Sequence, residues 1–146
     1  MVSQKEYAQM SKKASPPSKS WKNIPLAFAI GGLICLLGEC IKNIFLHYNF
    51  SEEAAGSWTS IILVTLSALL TGLGLYEKLA KYAGAGTLVP ITGFSNSISS
   101  SALEAKSEGF ILGVGAKIFT IAGPVILYGT AASVVYGIIY YIVRQF

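Results

Sequence analysis

The side chains that could do chemistry are few, and their types exclude most catalytic arrangements. All seven acidic residues are glutamates, His47 is the single histidine and Arg144 the single arginine. A Ser-His-Asp triad is therefore impossible, and one chain cannot assemble a multi-histidine zinc or haem site. Cys35 and Cys40 point to different sides of a helix, which excludes an intrahelical disulfide. We predict no catalytic residues, no metal site, no cofactor and no enzymatic activity.

The composition indicates that lipid covers the protein. Of 146 residues, 53% are hydrophobic and 12% are charged, whereas soluble domains carry about 25% charged residues. A soluble domain of this length could not cover its surface with so few charges. We therefore predict an integral membrane protein whose first partner is the lipid bilayer, and no nucleic-acid partner.

Uncharged runs indicate where the chain crosses the membrane. Residues 54–76 and 118–143 contain no charged side chain, and each run exceeds the about 20 residues that a spanning helix needs. A third uncharged run, residues 24–38, is long enough only if Glu39 lies within the span or at its edge, with the apolar pattern continuing to Leu46. These runs predict an all-α membrane protein with three clear transmembrane helices.

The lysines predict the domain organisation and the orientation. Residues 1–20 are predicted to be a flexible basic tail, and residues 21–146 a single transmembrane helical domain. Five lysines precede the first span, and Lys78 and Lys81 follow the second. The positive-inside rule then places the N-terminus and residues 77–83 in the cytoplasm.

A fourth segment, residues 82–103, is uncharged but unlike a lipid-facing helix. Gly84 and Gly86 break helices, and Pro90 disfavours helix at the residue before it. Irregular, hydroxyl-rich backbone is tolerated at membrane depth where protein or a water-filled cavity surrounds it, as in transporters and channels. The residues predicted to line a polar pathway are Gly84, Gly86, Thr87, Pro90, Thr92, Ser95, Asn96, Ser97, Glu104, Lys106 and Lys117.

Two alternatives remain for this segment from the residues alone. One is an ordinary cytoplasmic loop followed by an amphipathic surface helix. The other is a membrane-embedded segment, in which residues 82–103 either cross fully as a fourth span or re-enter on the same side. The lysine rule favours four crossings and a cytoplasmic Arg144, whereas the polarity of the segment favours re-entrance and an external C-terminus.

Two further features of the spans suggest sites. Glu39 is the one acid within an apolar helix, so it is either an inward-facing ligand for a proton or cation, or an interfacial partner of Lys42. Gly129, Ser133 and Gly137 recur every four residues on one face of the last span, a spacing that favours close helix packing, including packing between subunits.

The sequence resembles the SpoVA membrane-protein family of spore-forming bacteria over about residues 21–143. The resemblance is carried by AFAIGGLICLLGECIKN at 27–43 and by residues 70–126, in which AGAGTLVPITGFSNS at 83–97 is the most specific stretch. The family implies transport of dipicolinic acid, with calcium, into the developing spore and out again during germination. It also implies the inner membrane of the forespore and spore, and other SpoVA subunits as partners. No residue-level catalytic motif is carried over.

Two functions therefore compete. The first is a conducting membrane subunit, in an oligomer because three or four helices enclose little lumen alone, and gated by bilayer tension if its short helices respond to lipid thickness. The second is a non-conducting structural subunit of a multi-protein complex. A pathway lined by hydroxyls and an amide suits the neutral calcium chelate of dipicolinate better than the free dianion, for which only Lys106 and Lys117 are nearby cations.

Overall fold

The chain is helical throughout the part that the structure describes. The computed structural model describes residues 3–15 and 19–145 and contains no strand within these ranges. The α-helices there are α1 (Gln4–Ala14), α2 (Ser20–His47), α3 (Glu52–Gly72), α4 (Leu75–Ala83), α5 (Ala85–Leu88), α6 (Ile91–Glu104) and α7 (Ala116–Gln145). A 3-10 turn at Ala105–Glu108 and a π-helical stretch at Phe110–Gly115 join α6 to α7. The predicted all-α class is confirmed.

Three of these elements are long and apolar enough to cross a membrane. They are α2, α3 and the continuous helical stretch Phe110–Gln145. The first span includes Glu39, because α2 runs for 28 residues without a break at that position. The prediction of three transmembrane helices is confirmed.

The fourth segment is broken into short helices, as Gly84 and Pro90 predicted. Residues 82–103 comprise the end of α4, then α5 and nearly all of α6, which is the longest of the three with 14 residues. At 1.5 Å per residue α6 is about 21 Å long, whereas the hydrocarbon core of a bilayer is about 30 Å thick. No single helix of this segment spans the membrane by itself.

The interior of the fold is small and polar, while the large apolar side chains point outward. The buried side chains are Ala55, Leu63, Tyr76, Ala83 and Ala105 together with Thr59, Ser67, Thr87, Thr92 and Ser95. Small and hydroxyl side chains allow helices to approach closely in lipid, where no hydrophobic effect drives apolar surfaces together. This distribution is that of a protein whose outer surface faces acyl chains.

Helices α2 and α3 form an antiparallel hairpin, because only a short turn separates them. Asn49 provides the turn, with a left-handed φ of 61°, and Ser51 caps α3 by accepting a hydrogen bond from the Ala54 N–H at 3.3 Å. The two helices approach at Gly38, where an added Cβ would lie 3.3 Å from Cδ1 of Leu63. Near the turn, the ring of Phe45 stacks on Trp58 with centroids 6.2 Å apart.

The predicted flexible tail contains a helix that its composition did not predict. Ser3 and Glu6 form a reciprocal capping box at the start of α1, with the Ser3 N–H donating to the Glu6 carboxylate at 2.9 Å. The bonds from Ser3 lower the pKa of the Glu6 carboxyl below its ordinary value. The described side chains of α1 are exposed. Residues 1–2 and 16–18 of the tail, which include Pro16 and Pro17, lie outside the described residues.

Helix α7 leaves the rest of the bundle along most of its length. Its packing contacts are with α6 and the π-helical stretch, and every described residue from Pro124 to Gln145 is exposed. The apolar residues of this part of α7 have no partner among the described residues of the chain. In a membrane they face lipid or another subunit.

The broken segment meets the first span where two backbones nearly touch. A Cβ added to Gly86 would lie 3.0 Å from the Cα of Ala27 and would overlap the Ala27 carbonyl group. On the other side, a Cβ added to Gly31 would lie 3.2 Å from the Gly86 carbonyl oxygen. Only glycine at position 86 allows α5 to sit this close to α2.

Replacing Gly86 with alanine tests this contact. We expect Gly86→Ala to lower the free energy of unfolding by about 1–3 kcal/mol, because the new methyl group must separate two backbones. The measurement is thermal or denaturant unfolding of the purified protein in detergent micelles.

Gly32→Ala is the matched control, because nothing lies within 4 Å of a Cβ at Gly32. In a helix interior alanine is favoured over glycine by about 0.5–1 kcal/mol, so this variant should be neutral or slightly more stable. Equal destabilisation by both substitutions would contradict the proposed close contact.

Candidate functional site

The broken segment begins at a turn that only a glycine adopts easily. Gly84 ends α4 with φ +50° and ψ −123°, a conformation that a side chain would strain. Its carbonyl oxygen accepts from the Thr87 hydroxyl at 3.0 Å, which closes the single turn of α5. Pro90 then caps α6 in an extended conformation, with φ −65° and ψ 161°. Gly84 and Pro90 thus set the two bends that the sequence predicted.

Helix α6 packs against α3 more extensively than any other pair of helices with described contacts. The Ser67 hydroxyl of α3 donates to the Thr92 carbonyl oxygen at 2.6 Å, and the Ser95 hydroxyl of α6 donates to the Val64 carbonyl oxygen at 2.8 Å. Thr71 Oγ1 lies 2.8 Å from the side-chain oxygen of Asn96. These bonds run in both directions between the helices, so α6 is bound to α3 by polar contacts.

Tyr76 of α4 joins the same network from the other side. Its hydroxyl donates to the Thr87 carbonyl oxygen at 2.9 Å and is hydrogen-bonded to Thr92 Oγ1 at 3.0 Å. The side chain is only 3% exposed. Tyr76 therefore links α4, α5 and α6. Together, Ser67, Thr71, Tyr76, Thr87, Thr92, Ser95 and Asn96 form what we call the polar core.

The predicted pathway residues of α5 and α6 differ in how far they are buried. Gly86, Thr87, Thr92 and Ser95 are buried, while Pro90, Asn96 and Ser97 are half-buried and Gly84 is exposed. The Ser97 hydroxyl bonds to its own helix, donating to the Phe94 carbonyl oxygen at 2.8 Å. Within one chain, the first half of α6 thus faces protein, and its hydroxyls are paired there.

The predicted charged residues divide into two groups. Glu104 and Lys117 line one polar recess of about 170 Å³, together with Ser101, Ala105 and Glu108. This recess lies where the end of α6, the 3-10 turn and the start of α7 meet. Lys106 is exposed and does not line it. The structure therefore brings Glu104 and Lys117 together and leaves Lys106 apart.

Glu39 does not face the interior of the chain. Gly38 occupies the buried position of α2, whereas Glu39 is exposed and accepts a hydrogen bond from Asn43 Nδ2 at 3.4 Å. No described residue forms an ion pair with it, so the alternative pairing with Lys42 is not seen either. The inward-facing prediction is corrected for the single chain: a carboxylate at this position reaches the surface of the bundle, because α3 packs against Gly38.

The small-residue face of α7 has no partner within the described residues. Gly129, Ser133 and Gly137 are exposed, and nothing lies within 4 Å of a Cβ at either glycine. The Ser133 hydroxyl donates to the Gly129 carbonyl oxygen at 2.8 Å, within the same helix. The packing predicted for this face therefore requires another molecule.

Metal-ligating side chains do not cluster in the described part of the chain. No group of three or more His, Cys, Asp or Glu side chains could hold an ion there. Cys35 and Cys40 are free and exposed on α2. The recess at the end of α6 contains two carboxylates, one ammonium and one hydroxyl.

The fold and this site define a multi-pass helical membrane protein with a polar, broken segment beside its spans. The family model described as SpoVAC/SpoVAEB sporulation membrane protein matches residues 23–139. The chain belongs to this family, which is a family of sporulation membrane proteins and not of enzymes.

A relative supports the same assignment. The chain is 47% identical to stage V sporulation protein AC of Bacillus subtilis (strain 168) over 124 residues, which cover 84% of this chain and 82% of that protein. No solved structure matches the chain.

Removing one hydroxyl from the polar core tests its contribution to the fold. We expect Tyr76→Phe to lower the free energy of unfolding by about 1–2 kcal/mol, because the Thr87 carbonyl oxygen and the Thr92 hydroxyl both lose a partner. Denaturant unfolding in micelles measures the change.

Tyr82→Phe serves as the control, since it removes the same atom from an exposed tyrosine six residues further along α4. Its stability should match that of the unsubstituted protein within about 0.5 kcal/mol. A Tyr76→Phe variant as stable as this control would show that the buried hydroxyl contributes nothing.

Proposed function

We propose that this chain is a conducting subunit of an oligomeric membrane transporter for dipicolinic acid, moved with calcium during spore formation and germination. The solute, the inner spore membrane and the other SpoVA subunits come from the family resemblance. The observation that carries the proposal is the polar recess lined by Glu104 and Lys117, at the junction of α6 and α7.

The conducting path in this proposal runs between subunits. The hydroxyls of Thr87, Thr92 and Ser95 are buried within one chain, so they cannot line its pathway without rearrangement. The second half of α6 presents Ser99, Ser100 and Ser101 at partly or fully exposed positions leading to the recess. The uncovered part of α7 offers the surface through which further copies or other subunits would close the path.

The charges of the recess favour the neutral calcium chelate over the free dianion. The recess contains two carboxylates, of Glu104 and Glu108, and one ammonium, of Lys117. Its net fixed charge is therefore negative and repels a dicarboxylate. Carboxylate oxygens are ligands that calcium prefers, while an ammonium attracts the carboxylates of the chelate. A solute carrying both groups meets a complementary partner for each.

A non-conducting structural subunit is the second candidate, and a specific observation favours it. The hydroxyl groups that the sequence predicted to line a pathway are paired within the chain instead, which is how a scaffold stabilises itself in lipid. In that case α7 would support a pore made by partner subunits.

Release of dipicolinate from liposomes tests the proposal. We expect liposomes that contain only this protein to release calcium dipicolinate faster than protein-free liposomes. If tension acts on the short helices, release increases on osmotic downshift.

Lys117→Gln tests the recess itself. We expect it to lower the release rate by about threefold to tenfold, about 0.7–1.4 kcal/mol at the barrier, because the Lys117 ammonium that attracts the chelate's carboxylates is removed from the recess.

Lys106→Gln is the matched control, since it removes the same charge from a position outside the recess. We expect it to release calcium dipicolinate at the unsubstituted rate. No release from folded, inserted protein would reject the conducting role and support the scaffold. Equal effects of the two lysine variants would instead reject the recess as part of the path.

A further inference from the structure

A second polar cavity lies at the other end of the bundle, between the start of α2 and the turn from α4 to α5. It has a volume of about 330 Å³, and its polar lining includes Ser20, Asn23 and Lys81 beside Gly84. The adjacent Trp21 and Tyr82 are both largely exposed, as is typical of aromatics at the membrane interface. The cavity thus opens where lipid headgroups lie.

The charge around this cavity is positive. Lys81 forms no ion pair with any residue in the described ranges, although Glu77 lies one helical turn before it on α4. Lys19, just before α2, and Lys22 are next in sequence to the lining residues Ser20 and Asn23, and Lys78 adds a further positive charge on α4. The Asn23 amide adds uncharged N–H donors. Ammonium and amide donors together match the oxygens of a phosphate group.

An apolar cavity of about 300 Å³ lies deeper on the same helix. Its lining includes Ile30, Leu33 and Leu37 of α2, Leu66 of α3 and Leu79 of α4. The apolar cavity lies mainly between α2 and α3, and α2 and α4 contribute residues to both cavities. At 1.5 Å per residue, Leu33 is about 15 Å along α2 from Asn23, a separation that an acyl chain bridges readily.

We propose that the two cavities bind a single anionic phospholipid. Its phosphate occupies the basic cavity against Lys81 and Asn23, and one acyl chain enters the apolar cavity on the side where Leu79 of α4 lines it. Basic pockets between transmembrane helices are suited to acidic headgroups. The apolar cavity distinguishes this ligand from a free phosphate ion, which would have no use for it. The bound lipid would attach the bend at Gly84 to the bilayer.

The test measures lipid retained by the purified full-length protein. The protein in detergent is incubated with equal amounts of phosphatidylglycerol and phosphatidylcholine, and native mass spectrometry counts the lipids that stay bound. We expect phosphatidylglycerol to be enriched. Lys81→Gln should reduce this enrichment about fivefold, the factor for one basic residue near an anionic headgroup.

Lys78→Gln is the matched control, because it removes the same charge from α4 outside the cavity and should keep the enrichment. Asn23→Ala, on the other helix, provides an independent variant that should lower it. Circular dichroism of each variant verifies its helix content. Equal losses for Lys78→Gln and Lys81→Gln would overturn the site in favour of general surface charge.

Competition with inorganic phosphate separates the lipid from a free anion. We expect phosphate to leave the phosphatidylglycerol bound, because it gains nothing from the apolar cavity. Displacement of the lipid by inorganic phosphate would overturn the proposal and assign the basic cavity to a soluble ligand. Absence of enrichment in the unsubstituted protein would overturn it as well.

Discussion

In a bilayer a hydroxyl group has no water to bond with, and the contact between α3 and α6 depends on each hydroxyl finding a protein oxygen. Ser67, Ser95 and Tyr76 all donate to backbone carbonyls of a neighbouring helix. Such bonds are individually modest in membrane proteins, about 0.6 kcal/mol on average. These bonds matter mainly because they position the short helices: backbone groups freed at Gly84 and Pro90 need protein neighbours wherever water is excluded. The polar core supplies that neighbour and holds three short helices beside the long spans.

This arrangement explains why the same segment can be hydroxyl-rich without being a pore in one chain. The first half of α6 faces α3 and α4, and the glycine contact between Gly86 and Ala27 brings α5 against α2. The second half of α6 continues toward the recess at Glu104 and Lys117, where polar groups reach the surface. Helix α7 begins there and then extends without a partner. A complete transport path in this architecture would need additional subunits to cover both the recess and α7.

Much of the fold could be predicted from the sequence because its signals are local. Long uncharged runs predict the spans, and Gly84 with Pro90 predicts the breaks between α4, α5 and α6. The partners of the hydroxyls could not be predicted, since Ser67 and Thr92 are far apart in the chain and nothing local pairs them. Tyr76 lies at the end of an apolar run, a position that suits an interfacial ring as well as a buried one. Glu39 faces outward because its neighbour Gly38 provides the smooth surface for α3, and only the packed helices show which of the two is buried.

The division of α6 into a protein-facing half and a pathway-facing half is the central claim, and cysteine accessibility tests it directly. In a background with Cys35 and Cys40 replaced by alanine, single cysteines are placed at Ser95 and at Ser101 of the reconstituted protein. A membrane-impermeant thiol reagent is then applied while dipicolinate release is recorded. The account predicts that Ser101→Cys is labelled and its release is blocked, whereas Ser95→Cys is inert. Labelling and block at Ser95→Cys with an unreactive Ser101→Cys would contradict it.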